Sequence, residues 1–341
     1  MDVSRGGQDP VSKSLTVATG PYDTTRALVD GTIDVAGRGI TMRIGATLPE
    51  IFERMMRGQE FDVAELGWTF YLRGFGPDTP YLALPIFPNR VFRHSCVFVN
   101  AESGICRPAD LVGRRIGEFG VYGQDSGVWA KGILADEYGF RPEANRWVIG
   151  GLDAPAAPFD FVPQLRPAGI DITDAPGDRS LSGMLESGEI DALFTANVPQ
   201  SVLDGTSQRI VRLFPDYERV ERDYYRRTGI YPMMHPVVIR KNLLDQPRLA
   251  RAVYDAFVQA KQTALERYTY ARRLFGATLM MPWASRLLEE NAEFFQDDWW
   301  PYGTNANRTA IDTYLRYHHE QGLSDRRLTV DEVLVPELLD T

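Results

Sequence analysis

The stretch Leu84–Asn100, LPIFPNRVFRHSCVFVN, decides how the rest of the chain is read. Pro85 and Pro88 each fix their own φ and push the residue before them toward extended geometry. Arg90, Arg93 and His94 follow, and Cys96–Asn100 then reads as an apolar strand. Two guanidinium groups beside one imidazole suit a small polyanionic ligand that undergoes acid–base chemistry. The same pattern also fits two arginines solvating a turn and a histidine capping a strand. Spacing alone does not separate the two.

Upstream, Leu15–Ala18, Thr41–Ile44 and Phe61–Ala64 read as short strands. They alternate with helical stretches ending near Val29, at Leu48–Arg57 and opening at Glu65–Trp68. That rhythm is an open α/β sheet, which takes ligands at the carboxyl ends of its strands. Downstream of Asn100 the rhythm restarts, with strands expected at Arg115–Gly117, Asn145–Ile149, Ala192–Thr195 and Arg209–Phe214. The glycine-rich loop Glu118–Ser126 opens a helix over Val128–Tyr138, leaving backbone N–H groups as a generic anion site. It has neither GxGxxG nor P-loop spacing, so nucleotide binding is not supported. In YPMMHPVVIRKN, Val237–Arg240 is a second strand preceded by a histidine, and from Pro247 the chain is mainly helical. The two His-then-strand segments predict crossovers near 96 and 237. The expected layout is a discontinuous α/β domain of 14–96 plus 237–341 with a helical C-terminal part, and an inserted α/β domain of 97–236. A cleft between them would be faced by His94 and His235.

The 341 residues suffice for two domains, and a net charge of −9 without a basic run argues against nucleic acid. Cys96 and Cys106 form neither a CxxC pair nor a zinc pattern. The opening run MDVSRGGQDPVSK lacks an apolar leader segment, and nothing approaches the roughly 18 apolar residues of a membrane span. A cytoplasmic protein is expected, with no membrane partner.

Several runs carry a resemblance: ALPIFPNRVFRHSCVFVN, DLVGRRIGEFGVYGQDSGVWAKGILADEYG, HPVVIRKN, PYGTNANR and YHHEQGLSDRRLTVDEV. In this order, from about Leu15 to Val335, the chain resembles the 4,5-dihydroxyphthalate decarboxylase family. The resemblance implies a two-domain type II periplasmic-binding-protein-like fold, α/β in class, with a helical C-terminal extension. It also implies loss of one carboxylate from 4,5-dihydroxyphthalate to give protocatechuate in aromatic degradation. Glu65-Leu66-Gly67-Trp68 and the acidic Gly123-Gln124-Asp125-Ser126 depart from the family's pattern, which bears on substrate identity.

Such a decarboxylation needs an acid at the ring carbon, a hydrogen-bond partner at the phenol and a clamp on the retained carboxylate. Arg90 and Arg93 are the candidate clamps, although residues three apart in an extended run face opposite ways. His94 is the expected general acid, His235 the second acid/base, and Glu65 the phenol acceptor. Trp68 is a candidate ring-stacking residue, and Gln124 and Ser126 are candidates for a carboxylate at the helix start. Thr195 and Asn197 at a strand end, and Arg308 in PYGTNANR, complete the substrate-binding set. His318 and His319, about 100° apart on a helix, cannot chelate one metal well and are read as structural. No cofactor is expected; a divalent ion at His94, His235 and Glu65 is a minor alternative. The partner is a small aromatic carboxylate, in a homo-oligomer. The rival reading is a non-catalytic solute-binding protein for a small carboxylate.

Overall fold

Residues 14–296 and 298–341 are described by a computed structural model; the run Met1–Lys13, read above as lacking a leader, lies outside them. In chain order the strands are β1 (Leu15–Thr19), β2 (Ile40–Ile44), β3 (Val63–Glu65), β4 (Tyr81–Arg90), β5 (Val97–Asn100), β6 (Arg115–Phe119), β7 (Arg146–Gly150), β8 (Asp171–Asp174), β9 (Ala192–Phe194), β10 (Ile210–Arg212) and β11 (Met233–Arg240). The helices are α1 (Arg26–Val29), α2 (Leu48–Gly58), α3 (Trp68–Arg73), α4 (Asp125–Tyr138), α5 (Leu181–Ser187), α6 (Gln200–Leu203), α7 (Tyr217–Thr228), α8 (Leu249–Arg273), α9 (Ala284–Phe295), α10 (Arg308–Glu320) and α11 (Val330–Val333). Among the described residues no helix is long and apolar enough to cross a membrane.

The chain divides into two compact units. The first holds the residues up to Glu65 and Val237–Trp300; the second holds Leu66–Pro236 and Pro301–Thr341. In the first, β1 pairs in parallel with β2 and β3, and the end of β11 runs antiparallel to β3 with Val237 opposite Glu65. Local sequence explains α2: Thr47 caps it through the Glu50 amide, and Ile51, Phe52 and Met55 recur at helical spacing and are buried. In the second unit the sheet order is β10-β5-β9-β6-β7-β8, with β9, β6, β7 and β8 parallel and β5 antiparallel to both its neighbours, β10 and β9. Its core is a cluster around Phe98, Val148, Leu181, Met184, Leu185 and Leu193.

The division differs from the expected one in where 66–96 and 301–341 belong. Hydrogen bonds tie the C-terminal tail to α3 and β4: Tyr71 donates to Val333 O at 2.7 Å, Val335 N to Ala83 O at 2.8 Å and Gly303 N to Pro85 O at 2.8 Å. Element boundaries also shift, most tellingly around the two His-then-strand segments and the start of α4. Pro85 and Pro88 lie inside β4 instead of leading up to a turn, which an edge strand tolerates because its prolines need not donate. The strand after them starts at Val97, since His94–Cys96 forms a 3-10 turn. Helix α4 begins at Asp125, ahead of the expected start, because Gln124 caps it. His235 sits within β11, where a preceding loop position was expected.

Candidate active site

The polar centre of the second unit forms at the start of α4. Gln124 is the N-cap, its side chain accepting from Ser126 N, and its amide also donates to Ser126 Oγ. Asp125 is the first helical residue and is buried. Its Oδ1 accepts from Thr69 N at 2.7 Å and from Tyr314 Oη at 2.9 Å, while Oδ2 lies 3.8 Å from His235 Nε2. Gly67 makes this possible: a Cβ there would overlap Asp125 Oδ2. Burial raises the Asp125 carboxyl above its ordinary range, opposed by His235, the Thr69 amide, the Tyr314 hydroxyl and Arg93. Burial, reinforced by Asp125, holds the Tyr314 phenol well above its usual value.

A second polar layer fixes the loop before α4. Glu118 accepts from Gly123 N at 3.0 Å and pairs with Lys131 Nζ at 2.6 Å, both side chains fully buried. Burial outweighs the pairing and lowers the Lys131 ammonium to about 8. Its Nζ also lies 3.9 Å from the centre of the Tyr122 ring. Arg73 donates to Tyr122 O, to Gly123 O at 3.3 Å and to Thr69 Oγ1 at 3.2 Å, and Thr69 Oγ1 donates to Gly123 O at 2.7 Å.

The two candidate clamps have different surroundings. Arg90 is buried and donates to Tyr231 O at 2.9 Å, Pro301 O at 2.5 Å and Asn307 Oδ1, so it ties β4 to the C-terminal segment. Arg93 is also buried, but its hydrogen bonds go to sulfur: Met234 Sδ at 3.1 Å and Cys96 Sγ at 3.4 Å. Sulfur is a weak acceptor. Among the described residues no carboxylate is in ion-pair contact with Arg93.

The remaining expected residues fall in separate places. His94 is packed edge-on against Phe214 and Tyr224, at 5.3 and 5.4 Å between ring centres, and neither ring nitrogen has a hydrogen-bond partner. Burial lowers it to about 4, which disfavours the imidazolium that the expected role as general acid requires, and neither ring nitrogen has a partner to hand it a proton. Glu65, the expected phenol acceptor, belongs to the first unit and ends β3. Its side chain is buried and accepts from Gly20 N at 2.9 Å and Tyr22 Oη at 2.7 Å. Trp68 is a core residue, stacked on Phe87 with ring centres 6.2 Å apart. Thr195 Oγ1 donates to Asn197 O at 2.9 Å in a local turn, and the Asn197 side is exposed. Arg308 pairs with Asp331 at 3.1 Å on the surface. His318 is buried with its Nε2 3.5 Å from Thr69 Oγ1, and burial lowers it to about 3, a structural setting. No three His, Cys, Asp or Glu side chains converge as metal ligands among the described residues.

The structure thus brings together His235, Gln124 and Ser126 from the expected set, adds Asp125, Tyr314 and Thr69, and leaves Arg93 close enough for its charge to act on Asp125. Asp125 carried a sequence signal, the acidity of its loop. Tyr314 carried none, because it arrives from a helix far along the chain.

Mixed-sheet units of this kind define a periplasmic-binding-protein-like fold. The aliphatic sulphonate binding protein SsuA of Escherichia coli matches with TM-score 0.53 and 11% identity, over 97% of this chain and 100% of that one. The periplasmic sulfonate-binding protein SsuA of Methylobacillus flagellatus KT matches at 0.58 and 13%, over 96% and 92%. The fold class read from the sequence is the one observed. No protein-family model matches the chain. A 4,5-dihydroxyphthalate decarboxylase of Comamonas testosteroni is 33% identical over 329 residues, covering 96% of this chain and 98% of that protein. One of Pseudomonas putida is 33% identical over 214 residues, 62% of this chain and 81% of that protein. The chain belongs to the 4,5-dihydroxyphthalate decarboxylase family.

Proposed function

We propose that this protein is a carboxy-lyase that converts 4,5-dihydroxyphthalate to protocatechuate without a cofactor, acting in the cytoplasm as a homo-oligomer. The observation that carries the site assignment is Arg93: a buried guanidinium held only by sulfur atoms, next in the chain to the 3-10 turn and bonded to Met234, the neighbour of His235. A buried guanidinium whose hydrogen bonds go to weak sulfur acceptors is poorly satisfied, and a substrate carboxylate would replace them with bidentate charge-assisted bonds. The family's named activity supplies a substrate with two such groups.

In this reading Arg93 holds the retained carboxylate, and the amides at the start of α4, with Gln124 and Ser126, stabilise negative charge. His235 delivers a proton to the ring carbon that bears the leaving carboxylate, while the hydroxyl para to it pushes electron density into the ring. The carbon–carbon bond then breaks, CO2 departs, and the bonding pair restores aromaticity. Asp125 orients the imidazole, as a carboxylate does in acid–base pairs generally, and Tyr314 and Thr69 N hold Asp125 in place. Glu118 and Arg73 position the loop from behind.

The test is CO2 release from purified, chelator-treated protein given 4,5-dihydroxyphthalate and a panel of hydroxylated benzene carboxylates. Release with 4,5-dihydroxyphthalate as the preferred substrate is expected. Activity lost on chelation and regained with a divalent ion would overturn the cofactor-free reading. A ligand that raises the melting temperature with no CO2 released would assign the chain to solute binding instead.

A further inference from the structure

We propose that the turn joining α8 and α9 is a self-association surface that pairs two copies of this chain. The helix α8 ends at Arg273, and the chain then presents Phe275, Met280 and Trp283 at 94%, 105% and 86% exposure, flanked by half-exposed Tyr270, Met281 and Leu287. By the areas such side chains carry, the six expose on the order of 800 Å² of mostly apolar surface, close to each partner's share of a standard interface. Monomeric proteins rarely expose so much in one patch. Elsewhere among the described residues the large exposed apolar side chains, such as Val112 and Leu203, are scattered singly.

The backbone holds these side chains outward by design of the turn. Gly276 N donates to Ala271 O at 2.8 Å, Leu279 N to Gly276 O at 2.9 Å and Ala284 N to Met281 O at 3.3 Å. Within that bonded frame Phe275 and Trp283 take left-handed backbone conformations, φ 55° and 58°, which bulky residues adopt only at a cost.

A second copy is the occupant that fits. The patch is rimmed by exposed Arg272 and Arg273, by Arg286, which pairs with Glu290 at 2.8 Å in its own helix, and by exposed Glu289, so it carries both signs of charge. A two-fold contact apposes a patch to itself, letting the arginines of one copy meet the glutamate of the other. An anionic lipid surface would call for basic residues alone. The run Met1–Lys13 supplies only Met1, Val3 and Val11 as large apolar side chains, too few to cover the patch.

This inference rests on the oligomer part of the proposed function and is independent of the decarboxylation. Sedimentation velocity of the full chain at micromolar concentration is expected to show a dimer or a multiple of it. The triple variant Phe275→Ser, Met280→Ser, Trp283→Ser is expected to halve the mass while CO2 release and circular dichroism stay as in wild type. A monomeric wild type overturns the oligomer and this surface together; an oligomer whose mass the triple variant leaves unchanged overturns the surface alone. Loss of CO2 release in both proteins with the mass shift intact would instead count against the catalytic reading only. Should the variant fail to fold, hydrogen exchange of wild type at high and low concentration decides. Concentration-dependent protection centred on 270–287 supports the surface, and protection elsewhere overturns it. Co-sedimentation of the wild type with phosphatidylserine vesicles would assign the tip to lipid and overturn the pairing.

Discussion

His235 and His94 are both buried in the same unit, yet their surroundings share nothing. Around His235 stand a carboxylate and a phenol hydroxyl bound to that carboxylate. Around His94 stand two aromatic rings and no hydrogen-bond partner for either nitrogen. A histidine is a proton-transfer group only when something nearby tells its proton where to sit. His235 has that partner and His94 does not.

The sharpest test of the contrast is turnover. His235→Gln is expected to lower kcat by about 10³-fold, within the usual range for losing a general acid, while the melting temperature stays near that of wild type. His94→Phe, which keeps an aromatic ring, is expected to keep kcat within about threefold, since neither nitrogen of His94 has a hydrogen-bond partner through which to relay a proton. Steady-state CO2 release measures both. A dead His94→Phe with wild-type stability would break the comparison outright.

The next effect is on stability against pH. The folded His94 is lowered to about 4 against 6.5 in the unfolded chain, so the unfolded state binds the proton first as acid is added. Its contribution is fully present above pH 6.5 and is lost as pH falls toward 4, amounting to about 3 kcal/mol over that window. Urea unfolding across that range is expected to show a steep fall in wild type and a shallower one in His94→Phe. Equal slopes would remove His94 from the acid limb.

Much of this was legible in the sequence, but not evenly. The α/β class could be read because strand and helix periodicity are local. Which way each side chain faces was less accessible. Period-two alternation does not reach Arg93, which lies past the end of β4 with φ −115° and ψ −5°, so only the fold reveals that Arg90 meets Asn307 and Arg93 meets sulfur. His94 misled because a polar residue in a charged run can still turn into an aromatic box. Tyr314 was invisible, since its link to Asp125 spans 189 positions and follows no spacing rule.

The arginines give a smaller contrast of the same kind. Arg93→Met is expected to raise KM about 30-fold, near 2 kcal/mol for a charged hydrogen-bonding partner lost, with the fold intact. Arg90→Met is expected instead to lower stability by about 2 kcal/mol, because Asn307 Oδ1 and the Tyr231 carbonyl lose the guanidinium donor and Pro301 O keeps only the Asn307 amide, with KM little changed. Thermal melts and substrate titrations on the two variants separate the roles. The reverse assignment would move the clamp to Arg90.

The smallest effect is expected at Tyr314. Tyr314→Phe removes one hydrogen bond, the 2.9 Å contact to Asp125 Oδ1, and leaves the ring in the core beside Trp68 and Trp129. Asp125 keeps the Thr69 amide and its place beside His235, so the carboxylate is loosened, not released. One neutral hydrogen bond is worth about 1 kcal/mol, so kcat is expected to fall about fivefold. A structural role would stop there. If Tyr314 acts through Asp125, the hydroxyl that opposes the carboxyl's upward shift is gone, and that carboxyl titrates at still higher pH. The acidic limb of the pH–rate profile is then expected to move upward in Tyr314→Phe and to stay put in the packing variant Trp68→Phe. An unmoved limb in Tyr314→Phe would leave Asp125 as a fixed strut of the helix start and return the orientation of His235 to packing alone.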